Sequence, residues 1–370
     1  MVSCLLIFYL TNYSVNHDDI AFAGYPSKYS SCLSFIDVRY HTWSSRIIIE
    51  AIIYNLIVHP TTWKILNILI MLLLLYSILK ITDSLKIYWI KYIALVLILL
   101  IPTTVLYEVG FIVTSINFLW TTTLSLYGLS VIVDLIKGKK ISTRKGILYL
   151  LASFIGFNSE QMEAVAGITL FVSIIYFTNK YTTSDNNAKA ISQFLKQYWI
   201  LFVEFLISFL SLIFIATCPG NEVRYTLEMS RWFPAYASYS VLEKIQIGIT
   251  STFKMLVIIH NDIFIIYTIC IFITSLIFVH FEKIIHKKLV VILSAIILIS
   301  SIYVPAIKFL HVDASVIVNR INLFTQDILI MPFNNFSMIN FLIIVGYVLI
   351  IVMILLINKL LFPNSIVSVL

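Results

Sequence analysis

The sequence predicts an all-α, polytopic membrane protein with about ten transmembrane helices, and three observations carry that prediction. Of 370 residues, 60% are hydrophobic and only 12% charged, and the mean hydropathy is +0.99. Apolar runs able to cross ~30 Å of bilayer hydrocarbon recur along the chain. The charges are sorted as well, because lysine-rich loops alternate with loops that hold most of the acids. Lipid offers no hydrogen-bond partner to the backbone, so runs of this kind fold as helices.

Taken in order, the spans are Val2 to Tyr13, Thr62 to Leu79, Trp89 to Tyr107, Ile112 to Ile136, Ile147 to Phe157, Met162 to Phe177, Tyr198 to Ala216, Ile263 to Phe281, Leu289 to Ala306 and Met338 to Ile357. The first is barely long enough and lacks the basic leader of a signal peptide. Either it continues into Ser14 and Val15 or the true start lies upstream. The fifth and sixth are short, which suits half-helices or re-entrant segments covered by protein. Trp63, Trp89 and Trp199 sit beside span ends, as an aromatic belt requires.

Orientation follows from the loops. One alternating set holds Lys80, Lys86 and Lys91, then Lys137, Lys139, Lys140, Arg144 and Lys145, then Lys180, Lys189 and Lys196, then Lys283, Lys287 and Lys288, and finally Lys359. Its acids are only Asp83, Asp134, Asp185 and Glu282, so this set is cytoplasmic, and so are both termini. The natural setting is a bacterial plasma membrane. The same rule explains the net charge of +7, and nucleic-acid binding is set aside. The longest stretches outside spans, the outer loops 14–60, 217–261 and 308–336, are too short to bury independent cores, so residues 1–370 form a single integral membrane domain.

Four cysteines, Cys4, Cys32, Cys218 and Cys270, show neither CxxC nor zinc-type spacing. Cys32 and Cys218 both fall in outer loops and could pair, two free thiols being the preferred reading. Glu204 is the only acid well inside a span. Its insertion in ionised form costs roughly 2.5 to 3.5 kcal/mol, so it should face the bundle and pair, or carry a proton.

Chemistry is expected where the acids gather, on the outer face. His17-Asp18-Asp19 follows the first span, and of two adjacent carboxylates one can face a substrate while the other accepts hydrogen bonds. Capping of a following helix explains the pair about as well. Trp43-Ser44-Ser45-Arg46 closes the same loop. Ile47 to Ile57 follows, interrupted by Glu50 and too near the next span to cross, and reads as a helix lying in the interface. Glu160 and Glu163, spaced i and i+3, share a face near a helix N-terminus, where the dipole favours carboxylates. In Cys218-Pro219-Gly220-Asn221-Glu222-Val223-Arg224, Pro-Gly-Asn reads as a tight turn, and Arg224 can fork onto a phosphate. Arg320, within Val318 to Asn322, is a weaker candidate of the same type.

Together these residues resemble the GT-C superfamily of membrane glycosyltransferases. An acidic pair after the first span, a large first outer loop ending in an arginine and an interface helix, and about ten spans make up that superfamily's layout. More closely, the chain resembles an uncharacterised bacterial membrane family, related in layout to Gtr-type glucosyltransferases. Its members carry an acidic pair here, a Trp-x-x-Arg-like segment like Trp43 to Arg46, an acidic motif like Asn158 to Glu160, and Ala-Pro-Gly-Asn-x-x-Arg. In the last of these Cys218 replaces the alanine.

The resemblance implies inverting transfer of a sugar from a polyprenyl-phosphate carrier to a cell-surface glycan or other acceptor outside the membrane. Asp18 or Asp19 would take the acceptor's proton, and Arg224, with Arg46 or Arg320, would stabilise charge on the departing lipid phosphate. His17, Trp43, Asn221, Glu160 and Glu163 complete the expected binding set. No metal ligand set and no cofactor is expected, with a divalent cation left open. The chain shows no P-loop or Rossmann motif. A cell-surface polysaccharide polymerase or ligase is the nearest rival, and a lipid or solute transporter the rival from another class.

Overall fold

A computed structural model describes residues 17–99, 110–182, 188–232 and 234–253, with short helical pieces between 265 and 299. The predicted spans Val2 to Tyr13 and Met338 to Ile357, most of Ile263 to Phe281 and Leu289 to Ala306, and Arg320 lie outside the described residues. Among the described residues there is no strand. The chain divides into two compact units, residues 1–228 and 229–369. All the predicted site residues that are described belong to the first.

The first loop folds into three short helices, α1 (His17–Lys28), α2 (Cys32–Thr42) and α3 (Ile47–Leu56). Ser31 starts α2 by a reciprocal cap, its hydroxyl accepting from the Ser34 amide and the Ser34 hydroxyl accepting from the Ser31 amide. Phe22, Phe35, Ile49, Ile53 and Trp63 form one buried cluster that fixes these helices on α4 (Pro60–Ile81). The helix expected over Ile47 to Ile57 is therefore present, with Ile49, Glu50 and Ile53 on its buried face.

Four helices among the described residues are long and apolar enough to cross a membrane. They are α4, then α6 (Phe111–Ile136), then Glu160–Lys180 of α8 (Glu160–Thr182), and Phe194–Thr217 of α9 (Ala188–Thr217). Between them lie α5 (Tyr88–Leu99) and α7 (Thr143–Gly156). The sixth predicted span is thus not short, since α8 has 23 residues, whereas the fifth, α7, has 14. Side-chain pairs set the directions. Trp63 near the start of α4 donates to Ser115 near the start of α6, and Lys80 near the end of α4 donates to Ser130 near the end of α6, so these two run parallel. In α7, Tyr149 bonds Asp134 and Ser153 packs on Gly128, so α7 runs antiparallel to α6.

This alternation puts Lys80, Lys137, Lys139 and Lys145 at one end and Asp18, Asp19, Glu160 and Arg224 at the other. Small residues let α6 and α7 approach closely. A Cβ on Gly156 would stand 2.5 Å from the Ser125 amide nitrogen, and one on Gly128 3.2 Å from the Ser153 Cβ. Midway along the first half of α6, Ser115–Trp120 forms a π turn, a distortion common at functional sites. The second unit begins within α10 (Pro219–Trp232) and holds a 3-10 turn (Pro234–Ser238) and α11 (Val241–Phe253).

Candidate functional site

Asp18 and Asp19 separate in role. Asp19 is fully buried, and its carboxylate accepts from the amides of Phe111 (2.6 Å), Ile112 (3.3 Å) and Val113 (3.0 Å) at the open end of α6. Those amides have no partner within their own helix, and a carboxylate there also meets the positive end of the dipole. The capping expected of the acidic pair therefore falls to Asp19, and it reaches α6, 92 residues away, rather than a following helix. Gly110 makes the approach possible. Its φ is +153°, and a Cβ there would lie 2.9 Å from the Asp19 amide nitrogen.

Asp18 is exposed beside it, as is His17 at the start of α1. Although Asp18 is exposed overall, the helices around it partly desolvate its carboxyl and raise it above its ordinary value near 3.8, the Asp19 charge raises it further, and Arg39 and His17 pull the other way. Arg39 is a site residue that sequence reasoning missed. Its guanidinium forks onto Glu50 of α3 (Nε to Oε2, 2.5 Å; Nη2 to Oε1, 2.9 Å) and lies 5.5 Å from the ring centres of both Phe22 and Trp43. A signal existed, since Arg39 and Trp43 are four apart and share a helix face. The pairing with Glu50 had none.

The other three motifs meet at one point. Arg46 donates from Nε to Glu160 Oε2 at 2.7 Å, with Nη2 2.6 Å from the same oxygen, and Arg224 Nη2 donates to Glu160 Oε1 at 2.9 Å. Three residues separated by 114 and 64 positions thus form a single arginine–carboxylate–arginine group. Each side chain is between a fifth and somewhat over a quarter exposed, so the group opens to its surroundings. Two guanidinium charges face one carboxylate, leaving one positive charge for an anion. Arg46 also lies 5.9 Å over the Phe118 ring in the π turn of α6. From Phe111, held by Asp19, to Phe118 the helix rises about 10 Å, which sets the spacing of acid and arginines along the bundle.

The scaffold around that group is made of backbone contacts. Asn158 accepts from the amides of Ile48 (3.0 Å) and Ile49 (3.3 Å) and donates to the Ser45 carbonyl (3.3 Å). Asn221 accepts from the Ser45 amide (3.3 Å) and donates to the Ile215 carbonyl (2.9 Å). A Cβ on Gly220 would come within 2.5 Å of the Trp43 amide nitrogen and 2.6 Å of the Tyr40 carbonyl, so only glycine lets these segments touch. Trp43 is half-buried and closes α2, its backbone N–H donating to the Arg39 carbonyl.

Pro219-Gly220-Asn221 corrects the turn expected of it. It opens α10 directly after α9, with Pro219 as the first helical residue, where its missing N–H costs nothing. Cys218 and Cys32 are free thiols, and the Cys218 thiol donates to the Tyr40 carbonyl at 3.2 Å. Glu163 stands apart from Glu160. It is buried one turn deeper and accepts from the Ser208 hydroxyl of α9 at 2.6 Å. Glu204 is fully buried too and accepts from Ser153 at 3.0 Å, so it faces the bundle as expected, with a hydroxyl rather than a cation as its hydrogen-bond donor.

Comparison with known proteins yields no match to any family model, curated protein or solved structure.

Proposed function

We propose that this chain is an inverting glycosyltransferase that moves a sugar from a polyprenyl-phosphate donor to a glycan or other acceptor at the outer face of a bacterial plasma membrane. The observation that carries this reading is the Arg46–Glu160–Arg224 group, an excess positive charge about 10 Å along the bundle from an exposed carboxylate. A departing lipid phosphate is a dianion that a guanidinium fork matches bidentately, and Glu160 holds both forks in place until it arrives.

In this mechanism Asp18 acts as the base. Its raised proton affinity suits it to take the acceptor hydroxyl's proton while that oxygen attacks the anomeric carbon, and the bond to the phosphate breaks on the opposite side. Asp19 is a positioning residue that ties Asp18 to the end of α6. Trp43 and Arg39 form an aromatic and cationic wall beside it.

The test is sugar transfer from a synthetic polyprenyl-phosphate sugar by the purified chain. Asp18→Asn is expected to lower the rate by roughly a hundredfold or more while keeping the thermal transition, the usual contribution of a positioned base. Asp19→Asn is expected to lower the transition itself. Full activity in Asp18→Asn would remove the base and favour a polymerase or ligase that works through the arginines alone.

A further inference from the structure

From Glu160 of the arginine group, a line of polar groups that sugar transfer does not use continues into the bundle. Starting at the arginine group, Glu160 and Glu163 lie one turn apart on α8, and Glu163 accepts from Ser208 at 2.6 Å. Ser208 and Glu204 lie one turn apart on α9, and Glu204 accepts from Ser153 at 3.0 Å. Ser153 and Tyr149 lie one turn apart on α7, and Tyr149 donates to Asp134 at 2.7 Å. Asp134 is met by Lys139 (3.1 Å) and Lys145 (2.7 Å), both reaching solvent at the lysine-rich end, and by the buried Lys80 (2.9 Å).

Three hydrogen bonds thus alternate with three steps of one helical turn, each about 6 Å. From Thr122, which bonds Met162 of α8, to Asp134 the line follows about 18 Å of α6. The intermediate groups are shut off from water. Glu163 is 2% exposed, and Ser208, Glu204, Ser153 and Tyr149 are 1% or less. Two observations separate this line from ordinary helix packing. Among the described residues, Glu163 Oε2 and Glu204 Oε2 have no hydrogen-bond partner, and neither do the buried hydroxyls of Thr123 and Ser125 on α6. Buried carboxylates in a membrane bundle are costly unless they serve a path or carry a proton, and here two occur in register on successive helices.

We propose that this line conducts protons between the arginine end and the lysine-rich end of the bundle. Hydroxyls both donate and accept, and the carboxyls hold the proton and carry it across the one-turn gaps beside them by rotating from the hydroxyl on one side to the hydroxyl on the other. One proton enters and one leaves, with no other reactant. The charged groups that face the line are Arg46 and Arg224 through Glu160 at one end and Lys80, Lys139 and Lys145 at the other. The inference does not depend on sugar transfer.

The experiment uses the full chain in liposomes with trapped pyranine, a pH step across the membrane and valinomycin with potassium to clamp the voltage. The intact chain should collapse the gradient faster than protein-free liposomes. Glu204→Gln, which keeps shape and hydrogen bonding but cannot carry the proton, should lower that rate to the protein-free level. Glu163→Gln provides the second variant should the first fail to reconstitute, and Leu210→Ala, on the exposed face of α9, should conduct as the intact chain does. An intact chain no faster than protein-free liposomes, or unaltered conduction in both glutamine variants, overturns the proposal.

Discussion

At the residue scale the arrangement turns on how neighbouring acids are used. Asp18 and Asp19 share one sequence environment, yet one is buried under three amides and the other exposed. Their separation predicts a pH signature. A carboxyl raised by burial and by the Asp19 charge keeps its proton to higher pH than an ordinary aspartate, so a base at Asp18 is lost on the acid side sooner. The acid limb of the transfer rate against pH should therefore sit above 3.8 in the intact chain. It should move toward lower pH in Asp19→Asn, which removes a raising charge. Arg224→Lys replaces a fork by a point charge and should weaken donor use by roughly tenfold while Glu160 stays paired, read as a rise in KM for the polyprenyl-phosphate sugar.

Which of the two aspartates is exposed was not legible in the sequence, because the decision belongs to α6, 92 residues away. The same holds for Arg46, Glu160 and Arg224. Each was recognisable as a candidate from its own motif, but their convergence on a shared carboxylate depends on contacts spanning up to 114 positions. Arg39 was missed for the corresponding reason, since its partner Glu50 stands on another helix and in a different role.

Among elements, the helices were largely legible and their ends were not. Apolar length and flanking charge marked α4, α6, α8 and α9, and the segment after Arg46 is helical as expected. Pro219-Gly220-Asn221 carries turn residues, yet proline is equally at home as the first helical residue, and the close contact that makes Gly220 necessary lies with Trp43 and Tyr40. Gly220→Ala should therefore lower the thermal transition, the insertion costing about 1 to 3 kcal/mol because the obstructing atoms are backbone. Gly156→Ala should do the same at the α6–α7 contact, where the Ser125 amide stands in the way. In the intact chain both substitutions are read by thermal unfolding in detergent. Unchanged transitions would mean that the two contacts yield freely.

At the largest scale, the described residues of the first unit sort their charge by end. Lys80, Lys139 and Lys145 gather on Asp134, and Lys137 pairs with Asp83, while the opposite end gathers Arg46, Arg224 and Glu160. The alternating helix directions agree with the loop pattern read from the lysines, and that pattern was visible because membrane insertion acts on charge in short loops. The buried polar line was not visible, since serines and tyrosines scattered in apolar helices have no period. Impermeant thiol labelling of single cysteines, one placed at Lys140 and one at His17, should modify the second alone in intact cells. Labelling at Lys140 instead would invert the bundle and move the site to the wrong face for a lipid-linked donor.

The most direct test of the central claim is transfer of labelled sugar from a polyprenyl-phosphate donor by purified protein carrying Asp18→Asn. Loss of transfer by roughly a hundredfold with an unshifted thermal transition is the predicted result. Undiminished transfer by that variant would contradict it.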